Sequence, residues 1–83
     1  GSPVKRLGRD RFVRNVLIAI GNSGDVTLKN CATLLLKDAS PLVRAMAVWA
    51  LSQLLPAVEF GALKVKFFDI EIDPDVKEEW NAG

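Results

Sequence analysis

The sequence predicts an all-α fold, a short α-solenoid of about five antiparallel helices formed by residues 1–83 as a single domain. Three observations predict this fold. Apolar side chains recur at intervals of three and four residues in several stretches, which is the spacing of one helix face. Proline, serine or aspartate stands before these stretches, as at helix starts. A start motif that ends in valine and a cation recurs after about 30 residues, which is typical of α-helical repeats.

The first helix is predicted to begin at Asp10 or a neighbour, after a break at Gly8, and to end near Ile20. The following Gly21-Asn22-Ser23-Gly24 is typical of a helix end. Helical spacing predicts that three apolar side chains point into the core, namely Phe12, Val13 and Val16.

The second helix is predicted over residues 26–38, with Asp25 as its N-cap. Its apolar positions form one face, which consists of Leu28, Cys31, Ala32, Leu35 and Leu36. Because Cys31 lies on this face, we expect it to be an inert thiol in the core. Lys37-Asp38-Ala39 is the predicted turn into the next helix.

The organising element is the helix predicted over Ser40–Leu55. Ser40 is a favourable N-cap, Pro41 suits the first helical position, and Pro56 ends the helix. Replacing such a cap by alanine typically costs about 1 kcal/mol. Apolar side chains surround this helix on nearly all sides, which is typical of a helix buried by several neighbours. We therefore expect it to form the core against which the other helices pack.

Two shorter helices are predicted in the last third of the chain. The first covers Val58 to about Lys66, and the second begins at Asp73-Pro74. Between them Phe67–Ile72 is ambiguous, because its tail alternates like a strand. A single short strand has no partner here, so we favour a helix end or an ordered loop. Three of its apolar side chains are expected to pack selectively, namely Phe68, Ile70 and Ile72. We expect Trp80 to fold back on the preceding helix.

The chain contains an internal repeat. Ser40-Pro41-Leu42-Val43-Arg44 resembles Asp73-Pro74-Asp75-Val76-Lys77 at an offset of 33 residues. Arg11–Arg14 resembles Pro41–Arg44 at an offset of 30 residues. A period of this length with paired helices indicates an α-helical repeat.

An acid precedes the cation by six residues in two copies, Asp38 before Arg44 and Glu71 before Lys77. This pattern resembles a HEAT-type repeat, which implies an ion pair between that acid and that cation across the turn between two helices. The resemblance therefore predicts that Asp38 pairs with Arg44. An exposed pair of this kind is worth only about 0–1 kcal/mol.

The composition excludes several kinds of site. The chain has no histidine and no tyrosine, which removes the commonest general base, the commonest metal ligand and any Ser-His or Cys-His nucleophile. The single Cys31 cannot form an internal disulfide, so we expect a reducing compartment, the cytoplasm. No apolar run reaches the roughly 18 residues of a membrane span, so we expect no membrane partner.

The net charge of +1 conceals an asymmetry. Residues 1–44 hold eight Lys/Arg and three Asp/Glu, whereas residues 45–83 hold three and seven. This distribution indicates an anionic partner for the first half of the chain. A basic run opens that half, with Lys5, Arg6, Arg9, Arg11 and Arg14.

Several motifs lie along the chain in a fixed order. They are Ser2-Pro3-Val4-Lys5-Arg6, Gly8-Arg9, Arg14-Asn15, the run Ala19–Asp25, Ser40–Arg44, Val48-Trp49-Ala50-Leu51 and Asp73–Trp80. Together they resemble the C-terminal HEAT-like domain of epoxyqueuosine reductase. Residues 57–72 match this family only weakly.

The resemblance implies a parent oxidoreductase that reduces epoxyqueuosine to queuosine at the wobble position of tRNA. That family uses a cobalamin and two [4Fe-4S] clusters, held by a catalytic domain and a ferredoxin-like domain that precede the HEAT-like domain. We therefore expect this chain to be a C-terminal fragment that contacts those domains, non-catalytic alone and without a cofactor. One cysteine cannot hold a [4Fe-4S] cluster, which needs several thiolates.

The role that the resemblance implies for this domain is to hold tRNA near the anticodon stem-loop. We expect phosphate contacts from six cations, namely Lys5, Arg6, Arg9, Arg11, Arg14 and Arg44. Two alternatives stay open. The basic run is a solvated face or a contact to the preceding domains, or the whole chain is a HEAT-type protein–protein interaction scaffold without RNA binding. In the scaffold hypothesis Phe67–Ile72 contacts the partner.

Overall fold

The computed structural model describes the backbone of residues 3–83 and the side chains of residues 8–83. Five α-helices follow one another: α1 (Pro3–Ser23), α2 (Lys29–Leu35), α3 (Pro41–Leu54), α4 (Ala57–Phe67) and α5 (Pro74–Ala82). Single 3₁₀ turns precede α2 at Val26–Leu28 and follow α4 at Phe68–Ile70. Residues 3–83 contain no strand, which confirms the all-α class; the solenoid arrangement stays a prediction. No helix in this range is long and apolar enough to span a bilayer.

Helix α3 is the centre of the molecule, as predicted. It contacts α1, α2, α4 and α5. Its fully buried side chains are Val43, Ala47, Val48, Ala50 and Leu51. The alanines on α3 leave no bulk between helix backbones, so the neighbouring helices approach closely while the larger residues fill the space between them. Burial on several sides of α3 follows from its nearly continuous apolar surface.

Helix α1 is longer than predicted at both ends. It passes through Gly8 without a break and continues to Ser23, where Gly24 with φ of 68° ends it. One glycine weakens a helix interior by only about 1 kcal/mol, which the helix-forming residues on either side outweigh. Gly21 also lies inside the helix, and its missing Cβ atom lets Trp49 pack directly against it: a Cβ atom there would be 2.4 Å from the indole ring.

The prediction that Phe12 and Val16 point into the core is wrong. Phe12 is 68% exposed and Val16 is 39% exposed, whereas Leu17 is fully buried. Among the described side chains of α1, the inward face instead begins with Asp10, which is buried although it carries a charge. Because each helical residue turns the side chain by about 100°, placing Asp10 and Leu17 inward directs Phe12 outward.

The prediction of a core thiol at Cys31 is also wrong, because Cys31 is exposed. Helix α2 has only seven residues, and it buries Ala32 against the core. The Leu36 side chain just after α2 is buried, and Leu28 and Leu35 are half-buried against the core. The apolar face predicted for α2 therefore exists, but Cys31 lies at its margin.

The C-terminal helices close over an aromatic cluster. Trp80 is buried, with its ring centroid 5.2 Å from that of Phe60 and 6.4 Å from that of Phe67, so it folds back as predicted. The ambiguous segment is a 3₁₀ turn and an extended loop, as favoured. Ile70 and Ile72 are 69% and 89% exposed, which contradicts their predicted packing. The tight turn directs them outward.

Candidate nucleic-acid interface

Two arginines of the predicted interface form ion pairs with acids from inter-helix turns. We call these two pairs, Arg9–Asp38 and Arg44–Glu71, the rungs. In the first rung the guanidinium of Arg9 donates to both carboxylate oxygens of Asp38, at 3.2 and 2.5 Å. The same Nη1 donates to Asp10 Oδ1 at 2.9 Å. The first rung thus joins α1 to the turn between α2 and α3.

In the second rung Arg44 Nε and Nη2 donate to the two carboxylate oxygens of Glu71, at 2.9 and 3.0 Å. Nη1 of Arg44 donates to the backbone carbonyls of Asp38 and Ala39, at 2.8 and 3.1 Å. The predicted side-chain pair between Asp38 and Arg44 is therefore wrong. The guanidinium of Arg44 is aligned with the carbonyls that precede α3, so its remaining donors point to the next turn, where Glu71 lies.

The rung acids titrate below their ordinary range. The hydrogen bonds from Arg9 lower the pKa of Asp38, against the opposing effect of burial. Burial alone would raise the pKa of Glu71, but Arg44 and the backbone N–H groups of Asp73 and Ile72 outweigh it and lower that pKa. The pKa of Arg9 is raised, first by Asp38 and then by Asp10. The carboxylates of Asp38 and Glu71 are therefore ionised at neutral pH.

Arg9 and Arg44, two of the six predicted phosphate contacts, are engaged in ion pairs within the domain. The side chain of Arg44 is only 14% exposed, and all the nitrogen atoms of its guanidinium donate within the chain. The side chain of Arg9 is half exposed, but two carboxylates compensate its charge. Both arginines therefore hold the helices together.

The other arginines of α1 are placed differently. Arg11 is exposed and has no ion-pair or hydrogen-bond partner among the side chains of residues 8–83. Arg14 is half-buried, and its Nη2 donates to Asn15 Oδ1 at 3.4 Å. The Nε atom of Arg14 is buried without an acceptor. The side chains of Lys5 and Arg6 lie outside the part of the molecule that the structure describes.

The outward face of α1 combines three kinds of side chain. Arg11, Phe12 and Asn15 are all exposed on it. Asp10 is the only carboxylate of α1, and it points inward to Arg9. The outward face therefore has a cation, an aromatic ring and an amide but no acid. The sequence analysis placed Phe12 inside; the phase of the helix, set by the buried Leu17, would have placed it on the outward face.

A groove of about 330 Å³ lies beside the second rung. Its floor is apolar, with Val48, Val76 and Trp80, and its rim carries Lys37 and Ile72. Lys37 is exposed and forms no ion pair with the described side chains. The groove edge thus presents opposite charges side by side rather than a basic surface.

The residues of this chain do not fit the metal clusters implied for the parent enzyme. The described residues hold no group of three or more metal-ligating side chains. The chain supplies one thiolate at most, from Cys31, and a [4Fe-4S] cluster needs several.

Comparison with known proteins agrees with the resemblance. The chain is 36% identical over 61 residues to the epoxyqueuosine reductase of Alicycliphilus denitrificans. The chain is related to a region of this enzyme. The match covers 64% of the chain and 17% of the reductase, so the chain spans about a sixth of the length of its relative. This short coverage is consistent with the predicted location at the C-terminal end of the reductase. No protein-family profile and no solved structure matches the chain.

Proposed function

We propose that this chain is a tRNA-binding accessory domain of an epoxyqueuosine reductase-like enzyme that modifies tRNA in the cytoplasm. One observation carries the proposal: the outward face of α1 exposes Arg11 beside Phe12 and has no carboxylate. Similarity to an enzyme named for reducing a modified nucleoside supports RNA as the anion. The preceding catalytic and ferredoxin-like domains read the modified base in this proposal, and the α1 face supplies affinity.

In this proposal every cation of α1 except Arg9 contacts phosphates of the anticodon stem-loop; these cations are Lys5, Arg6, Arg11 and Arg14. Their contacts neutralise phosphates without reading sequence. Arg14 is half-buried and its Nε atom is buried, so in this proposal its terminal nitrogens make the phosphate contact. Arg9 and Arg44 act indirectly, because the rungs orient α1 relative to the rest of the domain.

The proposal includes a HEAT-like arrangement of helix pairs. The two rungs support it, because each joins a cation on one helix to an acid 27 or 29 residues further along the chain. Helices α3 and α5 also begin alike, each with a proline after an extended cap residue. A structural unit that recurs in this way is typical of stacked helical repeats.

Titration of the domain into a labelled anticodon stem-loop at two salt concentrations tests the proposal. We expect binding that falls with salt by a logarithmic slope of about 0.7–0.9 per phosphate contacted. Arg11→Glu should weaken binding and reduce this slope without lowering thermal stability, because Arg11 has no partner among the described side chains. Lys66→Glu makes the same change of charge on α4 and should have the smaller effect.

Arg9→Glu is unsuitable for this test. It would place a third carboxylate beside Asp10 and Asp38, so we expect it to lower the melting temperature. A folded domain that shows no affinity for the stem-loop at low salt contradicts the proposal.

A second candidate function is a HEAT-type protein–protein interaction scaffold. Helix α4 favours it, because Val58 and Val65 lie on one face and are 85% and 79% exposed. Contiguous exposed apolar surface marks protein contact sites. Under this function the domain shows no salt-dependent RNA binding, and Val58→Ser with Val65→Ser abolishes its association with a protein partner or with itself in sedimentation experiments.

A further inference from the structure

The most exposed aromatic side chain of the described residues is Phe12, on the outward face of α1. Its exposure of 68% contrasts with the burial of Phe60 and Phe67 at 6% each. A single exposed aliphatic residue is ordinary, but an exposed aromatic ring is depleted on protein surfaces outside binding sites. Phe12 therefore needs an explanation that the packing of this domain does not supply.

The helix geometry places Phe12 within a defined set of neighbours. Arg11 precedes it, and Asn15 and Val16 lie three and four residues further along α1, on the same side of the helix. All four side chains are exposed to some degree. The opposite side of α1 carries the buried Leu17, so the helix cannot turn to bury Phe12 without exposing the core.

We propose that Phe12 stacks on an unpaired nucleobase while Arg11 contacts the adjoining phosphate. This inference rests on the proposed function and names the part of the RNA that the α1 face binds: a single-stranded loop. Every base offers a π-face to an aromatic side chain, and a neighbouring guanidinium pairs with the backbone. The amide of Asn15 offers a donor and an acceptor to the base edge or to the ribose hydroxyl.

The charge of the face favours RNA over a protein partner. Arg11 adds a cation, and the only acid of α1, Asp10, faces inward. The exposed apolar face of α4 differs from the α1 face, because Val58 is aliphatic rather than aromatic and is adjacent to an acid, Glu59. An aromatic ring, a guanidinium and an amide on one side of the helix, without a carboxylate, match the π-face, phosphate and polar edge of a nucleotide.

The proposal predicts a preference for loops over duplexes. In a duplex the bases are stacked on one another, so Phe12 has no free π-face to contact. Only phosphate contacts remain, and these depend on Arg11 and its neighbouring cations. An unpaired loop adds the stacking contact to the same electrostatic attraction.

The experiment compares two fluorescently labelled RNAs, a hairpin with an unpaired loop and a blunt duplex with the same stem. The proteins are the wild-type chain, Phe12→Ala, Phe12→Trp and the control Val58→Ala, which removes an equally exposed apolar side chain from α4. We expect Phe12→Ala to bind the hairpin about tenfold more weakly and the duplex with unchanged affinity. Phe12→Trp should retain hairpin binding, and Val58→Ala should change neither affinity.

Three outcomes overturn the inference. Hairpin affinity that is equal in Phe12→Ala and in wild type removes the stacking role; the proposed function survives this result if Arg11→Glu still weakens binding. An equal loss for hairpin and duplex removes the loop preference. Loss of self-association in Phe12→Ala, with RNA affinity unchanged, assigns the ring to a protein contact.

Wild type that binds neither RNA contradicts the proposed function itself. Circular dichroism checks folding, which the exposed position of Phe12 should preserve.

Discussion

The N-caps of α3 and α5 share their backbone conformation and differ in side-chain chemistry. Ser40 and Asp73 are both extended and both precede a proline. The carboxylate of Asp73 accepts from the backbone N–H groups of Asp75 and Val76, at 2.8 and 3.4 Å. The hydroxyl of Ser40 makes no cap hydrogen bond; its backbone N–H donates to Asp38 instead.

We therefore expect Asp73→Ala to lower the free energy of unfolding by about 1 kcal/mol, the typical value of a side-chain cap. Ser40→Ala should cost clearly less, although the sequence predicted the full cost of a cap there. Chemical denaturation of the two variants in parallel measures the difference. Equal losses would show that the Ser40 hydroxyl caps α3 in solution.

For single residues, the sequence predicted which helices have an apolar face better than it predicted which side chains point into the core. Helical spacing correctly placed Ala32 and Leu36 on the buried face of α2 and the residues just after it. It failed for Phe12 and Cys31 because a helix with apolar residues on more than one side allows two inward phases. In α1 the buried Asp10, paired with the half-exposed Arg9, lies on the inward side, and a charge at an inward position cannot be recognised from a pattern of apolar residues.

Two helical glycines differ in the space beside their Cα atoms: one is packed against a neighbouring helix and the other is open. In α1, Gly21 lies against Trp49, and an added Cβ atom would be 2.4 to 3.0 Å from three atoms of the indole ring. In α4, Gly61 has no heavy atom within 4 Å of an added Cβ atom. Both positions are helical, so the gain in helix propensity from alanine is shared.

Gly61→Ala should raise the free energy of unfolding by up to about 1 kcal/mol, because alanine replaces glycine in a helix without a clash. Gly21→Ala should lower it by about 1–3 kcal/mol, because the Trp49 ring must shift in a packed core. Thermal unfolding of both variants measures the two signs. A gain in stability for Gly21→Ala would show that α1 and α3 separate easily at this contact.

The helix starts at Pro41 and near Pro74 were predictable, because an extended cap and a proline identify them locally. The length of α1 was not, since Gly8 and the arginines around it give the same local signal in a helix and in a loop. For the turn after Phe67, the sequence predicted only that the segment is not a strand. Its detailed shape depends on Glu71, which turns inward to Arg44, a contact 27 residues away.

Across the whole molecule the rungs make stability depend on pH. The pKa values of Asp38 and Glu71 are lowered from their ordinary values of 3.8 and 4.5, so the unfolded chain takes up protons before the folded one. The stability that the rungs contribute is therefore fully present above these ordinary values and is lost as the pH falls through the lowered ones.

We expect the free energy of unfolding to be constant from about pH 7 to pH 5.5 and to fall steadily below about pH 4.5. Glu71→Gln keeps an acceptor for the backbone N–H groups but loses the charge, so it should be less stable at neutral pH and fall less steeply. Asp25, whose pKa the hydroxyl of Thr27 lowers, preserves part of the slope in the variant. Urea unfolding at several pH values measures the slopes; parallel curves would contradict a role for Glu71.

At the proposed site the sequence predicted the local charge pattern but not the ion pairs between residues far apart in the chain. The sequence alone indicated a basic first half, and Arg11 is exposed as that prediction requires. It could not show that Arg9 and Arg44 are held by acids from distant turns, because its repeat pattern paired Asp38 within its own repeat. The partner in the structure, Arg9, precedes Asp38 by 29 residues.

The direction of the rungs has a consequence for how such a chain can change its length during evolution. Each rung joins an arginine on a helix to a carboxylate in an inter-helix turn further along the chain, and both rungs are arginine–carboxylate ion pairs. If the helices form the proposed stacked pairs, loss of one complete pair would bring Arg9 to Glu71 in place of Asp38, and duplication of one pair would insert a further rung of the same kind. Gain or loss of whole pairs would then leave no rung charge without a partner, whereas a partial deletion would.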